Sequence, residues 1–283
     1  MSDIFDFDKG KAQYAVMGNP ITHSKSPRIH TLFAQQTGQD LEYTAIHVDL
    51  GGFTQAVGNF AAAGGSGLNI TVPFKQDAWQ LVTERSDRAE RAGAVNTIKF
   101  ENNKLIGDNT DGVGLVNDLM TNHQVEIKGK RVLLMGAGGA ARGVLAPLLA
   151  QQPASLIVAN RTVDKAVELA TAFADLGSIK ASSYDDLLGR QFDLVINATA
   201  ASLQGSLPPL PKNILTEQAC CYDMMYGAEP TTFMQWANAQ GAQTVLDGLG
   251  MLVEQAAESF FIWRGVRPDS QIVIKTLRAE LSA

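Results

Sequence analysis

The sequence predicts an α/β protein of two domains, each built on a mainly parallel sheet that helices cover. Its 283 residues suit about two domains of ordinary size. From Tyr14 onward, short apolar strand-like segments alternate with helix-like segments, a pattern typical of parallel sheets. The stretch "RVLLMGAGGAARGVL", from Arg131, has the strand, glycine turn and helix start of a dinucleotide-binding unit. The 130 residues before it therefore need a separate explanation.

Composition excludes several classes of protein. With 45% hydrophobic and 18% charged residues, the chain is typical of globular proteins. A net charge of −6 without a Lys/Arg cluster argues against nucleic-acid binding. The sequence has no run of about 18 apolar residues, so we expect no membrane span. Residues 1–12 lack an apolar core and are expected to be a flexible tail, not a signal peptide. The adjacent Cys220 and Cys221 favour a reduced, cytoplasmic protein, and the four histidines show no metal-ligand spacing.

The first half alternates regularly. "YAVMG" predicts a strand, and "SPRIHTLFAQQTG" a helix with Ser26 as N-cap, Pro27 at its first position and Gly38 past its end. "EYTAIHV" and "GLNITV" predict strands, and the helices "FTQAVGNFAAAG" and "PFKQDAWQLV" follow them, the second opened by Pro73. "AVNTIKF" predicts a strand, and "DGVGLVNDLMTN" a helix from near Asp111. A mainly parallel sheet follows from this order.

The second half repeats the alternation. Five segments predict strands: "RVLLMG", "SLIVAN", "FDLVINAT", "ACCYDMM" and "QTVLDG". Two helical segments, "GMLVEQAAESFFIWRG" and "SQIVIKTLRAEL", end the chain with no strand after them, so we expect them to pack back onto the first domain. The predicted domains are 13–112 together with 250–283, and a Rossmann-like domain over 113–249.

The glycine turn fits a nucleotide phosphate. Gly136, Gly138 and Ala141 match G-x-G-x-x-A, which gives a tight turn, close backbone approach to a pyrophosphate and close packing of helix on strand. The helix N-terminus adds free N–H groups and the positive end of its dipole. A glycine-rich strand-to-helix turn without any ligand remains the alternative.

The end of the next strand bears on cofactor choice. NAD-specific enzymes commonly place an acidic residue there, whereas "VANRTVDKA" has Asn160 and Arg161, with Lys165 nearby. A carboxylate would repel a 2′-phosphate, but arginine can bind one with two parallel hydrogen bonds. NADP is therefore favoured over NAD, the alternative being a surface arginine at a strand end.

Three polar segments of the first half carry residues suited to chemistry. "GLNITVPFK" places Lys75 after an apolar strand, "GDNTDGVG" places Asp111 in a glycine-flanked turn, and "GNPITHSKSP" places Ser24 and Ser26 ahead of a helix. Each has a structural alternative. Lys75 could be a solvated helix residue, Asp111 a helix N-cap, and the serines a turn and a cap.

Taken together, these segments resemble the shikimate dehydrogenase family. The matches run in order from about Tyr14 to the C-terminal helices: "GNPITHSKSP", "NITVPFK", "GAVNT", "GDNTDG", "GAGGAARG", "NRT", "NAT", "DMMY" and "GLGMLVEQAA". The resemblance implies that the first domain holds the substrate and the second brings NADP to a cleft between them. The implied reaction is the reversible reduction of 3-dehydroshikimate to shikimate. It implies no nucleic-acid or membrane partner and leaves monomer and homodimer open.

The resemblance also implies roles in the first domain. Lys75 and Asp111 are expected at the carbonyl that is reduced, where an ammonium stabilises the developing alkoxide and a carboxylate holds it in place. The substrate carboxylate is expected to bind Ser24 and Ser26, with the Tyr226 hydroxyl nearby. Ring hydroxyls are expected to meet Asn69, Thr71, Asn96 and Gln255.

Cofactor roles follow in the same way. The phosphate loop comprises Gly136, Gly138, Gly139 and Ala140. The 2′-phosphate is expected at Asn160, Arg161 and Thr162, with Lys165 where relatives often have an arginine. The nicotinamide half is expected near Thr199, Met224, Gly248 and Met251. The chain departs from the family pattern in two places, at Ala200 and Ala201 after "NAT" and at Thr232, where relatives often have proline.

Three rival functions remain. A quinate/shikimate enzyme that uses NAD would favour an acidic residue in place of Arg161. A non-catalytic NADP sensor would not need Lys75 and Asp111. A folate-type dehydrogenase with a similar two-domain plan fits the "SKS" and "NTDG" segments poorly.

Overall fold

The computed structural model describes residues 10–199, 201 and 205–282. Residues 1–9 of the predicted tail, and Ala200 of the departure after "NAT", lie outside the described residues. None of the helices within those ranges combines the length and apolar character that a membrane crossing needs.

The first half of the chain builds a six-stranded mixed sheet. Its strands are β1 (Ala12–Gly18), β2 (Leu41–His47), β3 (Gly65–Ile70), β4 (Glu84–Arg85), β5 (Thr97–Glu101) and β6 (Lys104–Asp108). They lie in the order β2-β1-β3-β5-β6-β4. The pairs β1–β2, β1–β3 and β4–β6 are parallel, and β3–β5 and β5–β6 are antiparallel. The sheet is therefore mainly parallel, as predicted, but contains a hairpin that the prediction lacked.

That hairpin has a recognisable cause. Asn102 and Asn103 join β5 to β6 with φ values of 51° and 60°. A two-residue hairpin loop of the favoured type needs positive φ at both positions, and asparagine tolerates it better than most residues. The dipeptide "NN" thus marks the turn, and "KLIGD" is its returning strand.

Helices α1 (Ser26–Thr37), α2 (Phe53–Ala62), α3 (Lys75–Leu81) and α4 (Asp87–Ala92) accompany this sheet. Two predicted helix starts are wrong. The N-cap of α1 is Lys25, not Ser26, and the Ser26 N–H donates to Ser24 Oγ over 3.3 Å. Pro73 does not open α3, because it lies in a turn closed by a hydrogen bond from the Phe74 N–H to the Thr71 carbonyl, 3.0 Å long. The helix therefore begins at Lys75.

The second sheet is wholly parallel. Its strands are β7 (Arg131–Met135), β8 (Ser155–Ala159), β9 (Ile179–Ser182), β10 (Phe192–Asn197), β11 (Leu215–Asp223) and β12 (Thr244–Leu246). Their order is β12-β11-β10-β7-β8-β9. This is the order of a doubly wound dinucleotide-binding sheet, in which successive strands are added on one side of β7 and then, from β10, on the other. Helices α6 (Gly139–Ala150), α7 (Val163–Ala172) and α8 (Thr232–Ala239) accompany it. The four-residue β9 was not predicted.

Three further helices connect the two halves. Helix α5 (Asp111–Asn117) continues into a π-helical turn (Asp118–Asn122), and α9 (Leu249–Arg264) and α10 (Ser270–Leu281) end the fold. A shared apolar core joins α9 and α10 to α1, so the predicted return of the C-terminal helices to the first domain is confirmed. Helix α5 lies so close to its neighbours that a Cβ on Gly114 would lie 2.8 Å from the Gln255 Cβ, and one on Gly112 would lie 2.6 Å from the Gly143 carbonyl.

Candidate active site

One edge of the first sheet gathers the predicted catalytic and substrate residues. Strands β1 and β3 are parallel and end at this edge, so the segments after them bring Ser24, Ser26, Thr71 and Lys75 there. Strand β5 is antiparallel to β3 and begins at the same edge, pairing Thr97 with Asn69, so Asn96 precedes it there.

The last catalytic candidate arrives at the edge by the hairpin. Strand β6 runs antiparallel to β5, so Asp108 lies opposite Thr97. Helix α5 then begins three residues later, at Asp111. The antiparallel hairpin thus returns the chain to the edge from which Lys75 also emerges.

A cleft of about 310 Å³ opens over this edge. All nine residues predicted to bind substrate or catalyse line it: Ser24, Ser26, Asn69, Thr71, Lys75, Asn96, Asp111, Tyr226 and Gln255. Three of the residues predicted near the nicotinamide line it too, namely Met224, Gly248 and Met251. The segment after β11 and the start of α9 supply the wall opposite the first sheet, so the cleft lies between the two sheets.

Lys75 and Asp111 form an ion pair in this cleft. Lys75 Nζ lies 2.5 Å from Asp111 Oδ2, and the two side chains are 29% and 16% exposed. The pair is therefore partly shielded from water yet open to a molecule in the cleft. Since Lys75 begins α3 and Asp111 begins α5, backbone segments of two different helices fix its geometry.

The Asn96 amide has only one orientation that satisfies its neighbours. Its Oδ1 accepts the backbone N–H of Thr110 over 2.9 Å and the Thr97 hydroxyl over 2.9 Å. Its Nδ2 consequently faces Asp111 Oδ1, at 2.8 Å, and the Thr110 hydroxyl, at 2.9 Å. One Asp111 oxygen thus faces Lys75 and the other is held by Asn96.

Hydroxyl groups also line the cleft. Ser24 Oγ accepts the Ser26 N–H at the start of α1, and Tyr226 faces the same space from the segment after β11. Burial, followed by the negative charge of Asp247, raises the pKa of Tyr226. Its phenol therefore keeps its proton at neutral pH and can donate a hydrogen bond to an anion.

Two buried residues behind the cleft were missed by sequence reasoning. Tyr43 donates a hydrogen bond of 2.7 Å to Asn69 Oδ1, and Ser259 Oγ accepts one of 3.0 Å from Asn69 Nδ2. Burial raises the pKa of Tyr43 well above its usual range, against an opposing hydrogen bond with Ser26. The only sequence signal was a polar position on an otherwise apolar strand or helix face.

The remaining cofactor candidates lie at the carboxyl edge of the second sheet. Gly136 follows β7 with a φ of 103°, and a Cβ there would lie 3.0 Å from Thr199 Cγ2, so these two residues adjoin. Gly138 is the N-cap of α6, and Gly139 and Ala140 form its first turn. Asn160 follows β8 and donates a 2.8 Å hydrogen bond to the Thr162 carbonyl.

Arg161, Thr162 and Lys165 are exposed beside this edge. Burial raises the pKa of Tyr184 to about 12, and the positive charge of the nearby Arg161 opposes this rise. Asn197, at the end of β10, was not predicted, yet its Oδ1 accepts both the backbone N–H and the hydroxyl of Thr199. It thereby fixes the loop beside Gly136.

These features suit an anionic dinucleotide. A Cβ on Gly138 or Gly139 would meet no atom within 4 Å, so open space lies above the loop. Helix α6 has no acidic residue in its first turn and no side chain capping its start, which leaves its first N–H groups available to a phosphate.

Three family profiles match the chain. "Shikimate dehydrogenase substrate binding domain" matches residues 16–98, "Shikimate / quinate 5-dehydrogenase" matches 118–205, and "Shikimate 5'-dehydrogenase C-terminal domain" matches 248–278. Together they match parts of both sheets and most of the two C-terminal helices.

Similar proteins match nearly the whole chain. The Shikimate dehydrogenase (NADP(+)) of Alkalilimnicola ehrlichii is 59% identical over 95% of this chain and 99% of its own. That of Cellvibrio japonicus is 59% identical over 95% and 97%. The crystal structure of the Ael1 enzyme from Pseudomonas putida has a TM-score of 0.90 at 48% identity, covering 94% of this chain and 98% of its own. Shikimate 5-dehydrogenase from Thermus thermophilus, in complex with NADP(H) and shikimate, has a TM-score of 0.85 at 31% identity, covering 95% and 100%. The chain belongs to the shikimate dehydrogenase family.

Proposed function

We propose that this protein is an NADP-dependent shikimate dehydrogenase that reversibly reduces 3-dehydroshikimate to shikimate. The observation that carries this is the Lys75–Asp111 ion pair in a cleft whose other walls present hydroxyl and amide groups. Hydroxyl and amide groups can bind the carboxylate and hydroxyls of a small ring acid, and reduction of its ketone form needs a proton source. Relatives that carry this name match 95% of the chain.

The substrate is assigned to the cleft by chemistry. Ser24, Ser26 and the protonated Tyr226 hydroxyl bind its carboxylate. The amides and hydroxyl of Asn69, Thr71, Asn96 and Gln255 face its ring hydroxyls. Asn69 already uses both ends of its amide within the protein, so its part is mainly to shape the wall.

NADP is assigned to the carboxyl edge of the second sheet. Gly136, Gly138, Gly139 and Ala140 hold the pyrophosphate at the start of α6. Asn160, Arg161, Thr162 and Lys165 hold the 2′-phosphate. Thr199, Met224, Gly248 and Met251 enclose the nicotinamide side. This division makes 13–112 with 250–283 the substrate domain and 113–249 the cofactor domain.

The reaction requires a hydride and a proton. The nicotinamide, when bound, exchanges the hydride with the substrate carbon. Lys75 donates its proton to the substrate oxygen and stabilises the negative charge that develops there. Asp111 holds the ammonium in place, and Asn96 holds Asp111. In the reverse direction, Lys75 accepts the proton from the shikimate hydroxyl.

A four-way assay tests this function. Purified protein is mixed with shikimate or quinate, each with NADP or NAD, and NADPH or NADH formation is followed by absorbance. We expect shikimate with NADP to give the highest kcat/KM. Faster turnover of quinate with NAD would favour the quinate/shikimate rival, and no turnover of either acid alongside tight NADP binding would favour the sensor.

We also propose a cytoplasmic location, consistent with Cys220 and Cys221 being buried free thiols.

A further inference from the structure

A group of buried polar side chains forms the floor of the cleft, and three of its members have no part in the proposed chemistry. We call it the floor network and define it as Asn69, Asn96, Thr97, Thr110 and Ser259. Each member is at most 6% exposed, and Thr97, Thr110 and Ser259 are 0% exposed. Of these, Thr97, Thr110 and Ser259 do not line the cleft and therefore act only through other residues.

Ser259 is the member that joins separate elements. It projects from α9, and its Oγ lies 3.0 Å from Asn69 Nδ2 of β3, 2.7 Å from Thr97 Oγ1 of β5 and 3.3 Å from Thr110 Oγ1 at the start of α5. It also lies 3.0 Å from the Gln255 carbonyl, one turn earlier in α9. A single hydroxyl thus fixes four segments relative to one another.

Hydrogen bonds link Ser259 through its threonine neighbours to Asn96. A serine hydroxyl has one proton and two acceptor sites. Thr97 donates its single proton to Asn96 Oδ1, so across the 2.7 Å contact Ser259 donates and Thr97 Oγ1 accepts, while Ser259 Oγ itself accepts from Asn69 Nδ2. Thr97 and Thr110 both bond Asn96 Oδ1, which sets the amide orientation that holds Asp111. Ser259 is therefore two hydrogen bonds away from Asn96, and three from Asp111.

We propose that Ser259 is a positioning residue for the reaction, because it holds Thr97 and Thr110 so that Asn96 directs Asp111 toward Lys75. This inference rests on the proposed function of that cleft. A purely structural role is the competing explanation. It predicts that apolar groups of the same shape would serve as well, since buried hydrogen-bonded pairs contribute little net stability over such replacements.

The test compares Ser259→Ala, the double variant Ser259→Ala/Thr97→Val and a control, Leu277→Ala. Leu277 is buried in the core that joins α10 to α1 and α9, so its truncation destabilises the same region without touching the floor network. For each protein we measure Tm, kcat, and KM for shikimate and for NADP, at a temperature where every variant is folded. On ligand-free protein, NMR follows hydrogen exchange of the Asn96 side-chain amide.

We expect Ser259→Ala to lower kcat by roughly tenfold or more, in line with the cost of small misalignments in active sites. KM for NADP stays within about twofold, since its site is assigned to the other sheet, and Asn96 amide exchange becomes faster. In the double variant both partners of the 2.7 Å contact are gone, so part of the loss in Tm is recovered, while kcat stays low because the hydrogen bond from Thr97 to Asn96 is lost as well. Leu277→Ala lowers Tm and leaves kcat and Asn96 exchange unchanged.

Three results would overturn the inference. They are a kcat for Ser259→Ala no lower than that of Leu277→Ala, a kcat that recovers with Tm in the double variant, and Asn96 exchange that is equally fast in Leu277→Ala. A wild-type protein inactive with shikimate would instead remove the proposed function. The NMR measurement would still decide whether Ser259 orients Asn96, because it uses no substrate.

Discussion

Lys75→Ala is the most direct test of the proposed chemistry. The substitution removes an ammonium that lies 2.5 Å from Asp111 Oδ2 at the wall of the cleft. Because Lys75 begins α3 and its side chain is partly exposed, little packing is lost, and the free energy of unfolding should change by about 0.5 kcal/mol or less. The substitution therefore separates catalysis from stability.

The magnitude follows from the two roles of the ammonium. A positioned general acid contributes about 10²–10⁴ in rate, and one donor to a developing oxyanion about 10²–10³. Because one group serves both roles here, we expect kcat to fall by roughly two decades or more, about 2.7 kcal/mol or more in the activation free energy. KM for shikimate should change much less, since the carboxylate and hydroxyl contacts remain.

Steady-state NADPH absorbance at saturating NADP measures both parameters. Lys104→Ala is a matched control, because Lys104 also forms an ion pair, 2.6 Å from Glu84 Oε1, but on the exposed face of the hairpin. A near-normal kcat in Lys75→Ala would remove Lys75 from the mechanism. An equal loss in Lys104→Ala would show that the effect is not specific to the cleft.

Three other outcomes are expected. Ser24→Ala should raise KM for shikimate by one to two decades, the loss of about 1.5–3 kcal/mol for a charged hydrogen bond, while NADP titration stays unchanged; weaker NADP binding instead would contradict the domain assignment. Arg161→Asp should weaken NADP binding by more than one decade, through loss of a charged partner plus repulsion, and spare NAD; kcat/KM for both cofactors measures it, and equal weakening of both would refute it. Burial lowers the pKa of His30 to about 3, so the unfolded chain binds a proton that the folded chain excludes. Between about pH 6.5 and 3, His30 should therefore lower the free energy of unfolding by about 1.4 kcal/mol per pH unit as the pH falls. Urea titrations at several pH values in that range give the free energy of unfolding of wild type and of His30→Leu. Plotted against pH, this free energy should fall more steeply for wild type as the pH falls, and parallel plots would refute the prediction.

Much of the fold could be predicted because its signals are local. Most strands of the second sheet are short apolar runs that alternate with helical segments, so the doubly wound sheet follows from pattern alone. Strands β4 and β9, of two and four residues, are too short to show any period. Pro73 resembled a helix start because proline favours the first helical position, but the turn after Thr71 uses it instead.

The candidate site could be predicted only where residues face the cleft in motif-bearing loops. Ser24, Lys75 and Asp111 stand out in polar, glycine- or proline-flanked segments. Ser259 does not, because it is one hydroxyl in the apolar helix "LGMLVEQAAESFFIWR", and its partner Asn69 lies 190 residues away in the chain. Only the tertiary contact of α9 with the first sheet gives that serine a role.

The antiparallel hairpin makes the first sheet able to hold this site. In a wholly parallel sheet, Asn96, which precedes its strand, would lie at the edge opposite the one where β3 ends, out of reach of Asp111. Because β5 runs antiparallel to β3, the start of β5 lies beside the end of β3, and Asn96 comes within reach of Asn69. Because β6 runs back again, Asp108 returns to that edge, and three residues later Asp111 meets Lys75. Two consecutive asparagines that accept positive φ therefore have a catalytic consequence. A substitution that disfavours the turn, such as Asn102→Val with Asn103→Val, should lower kcat through displacement of Asp111, although both side chains lie at the far end of the hairpin, away from the cleft.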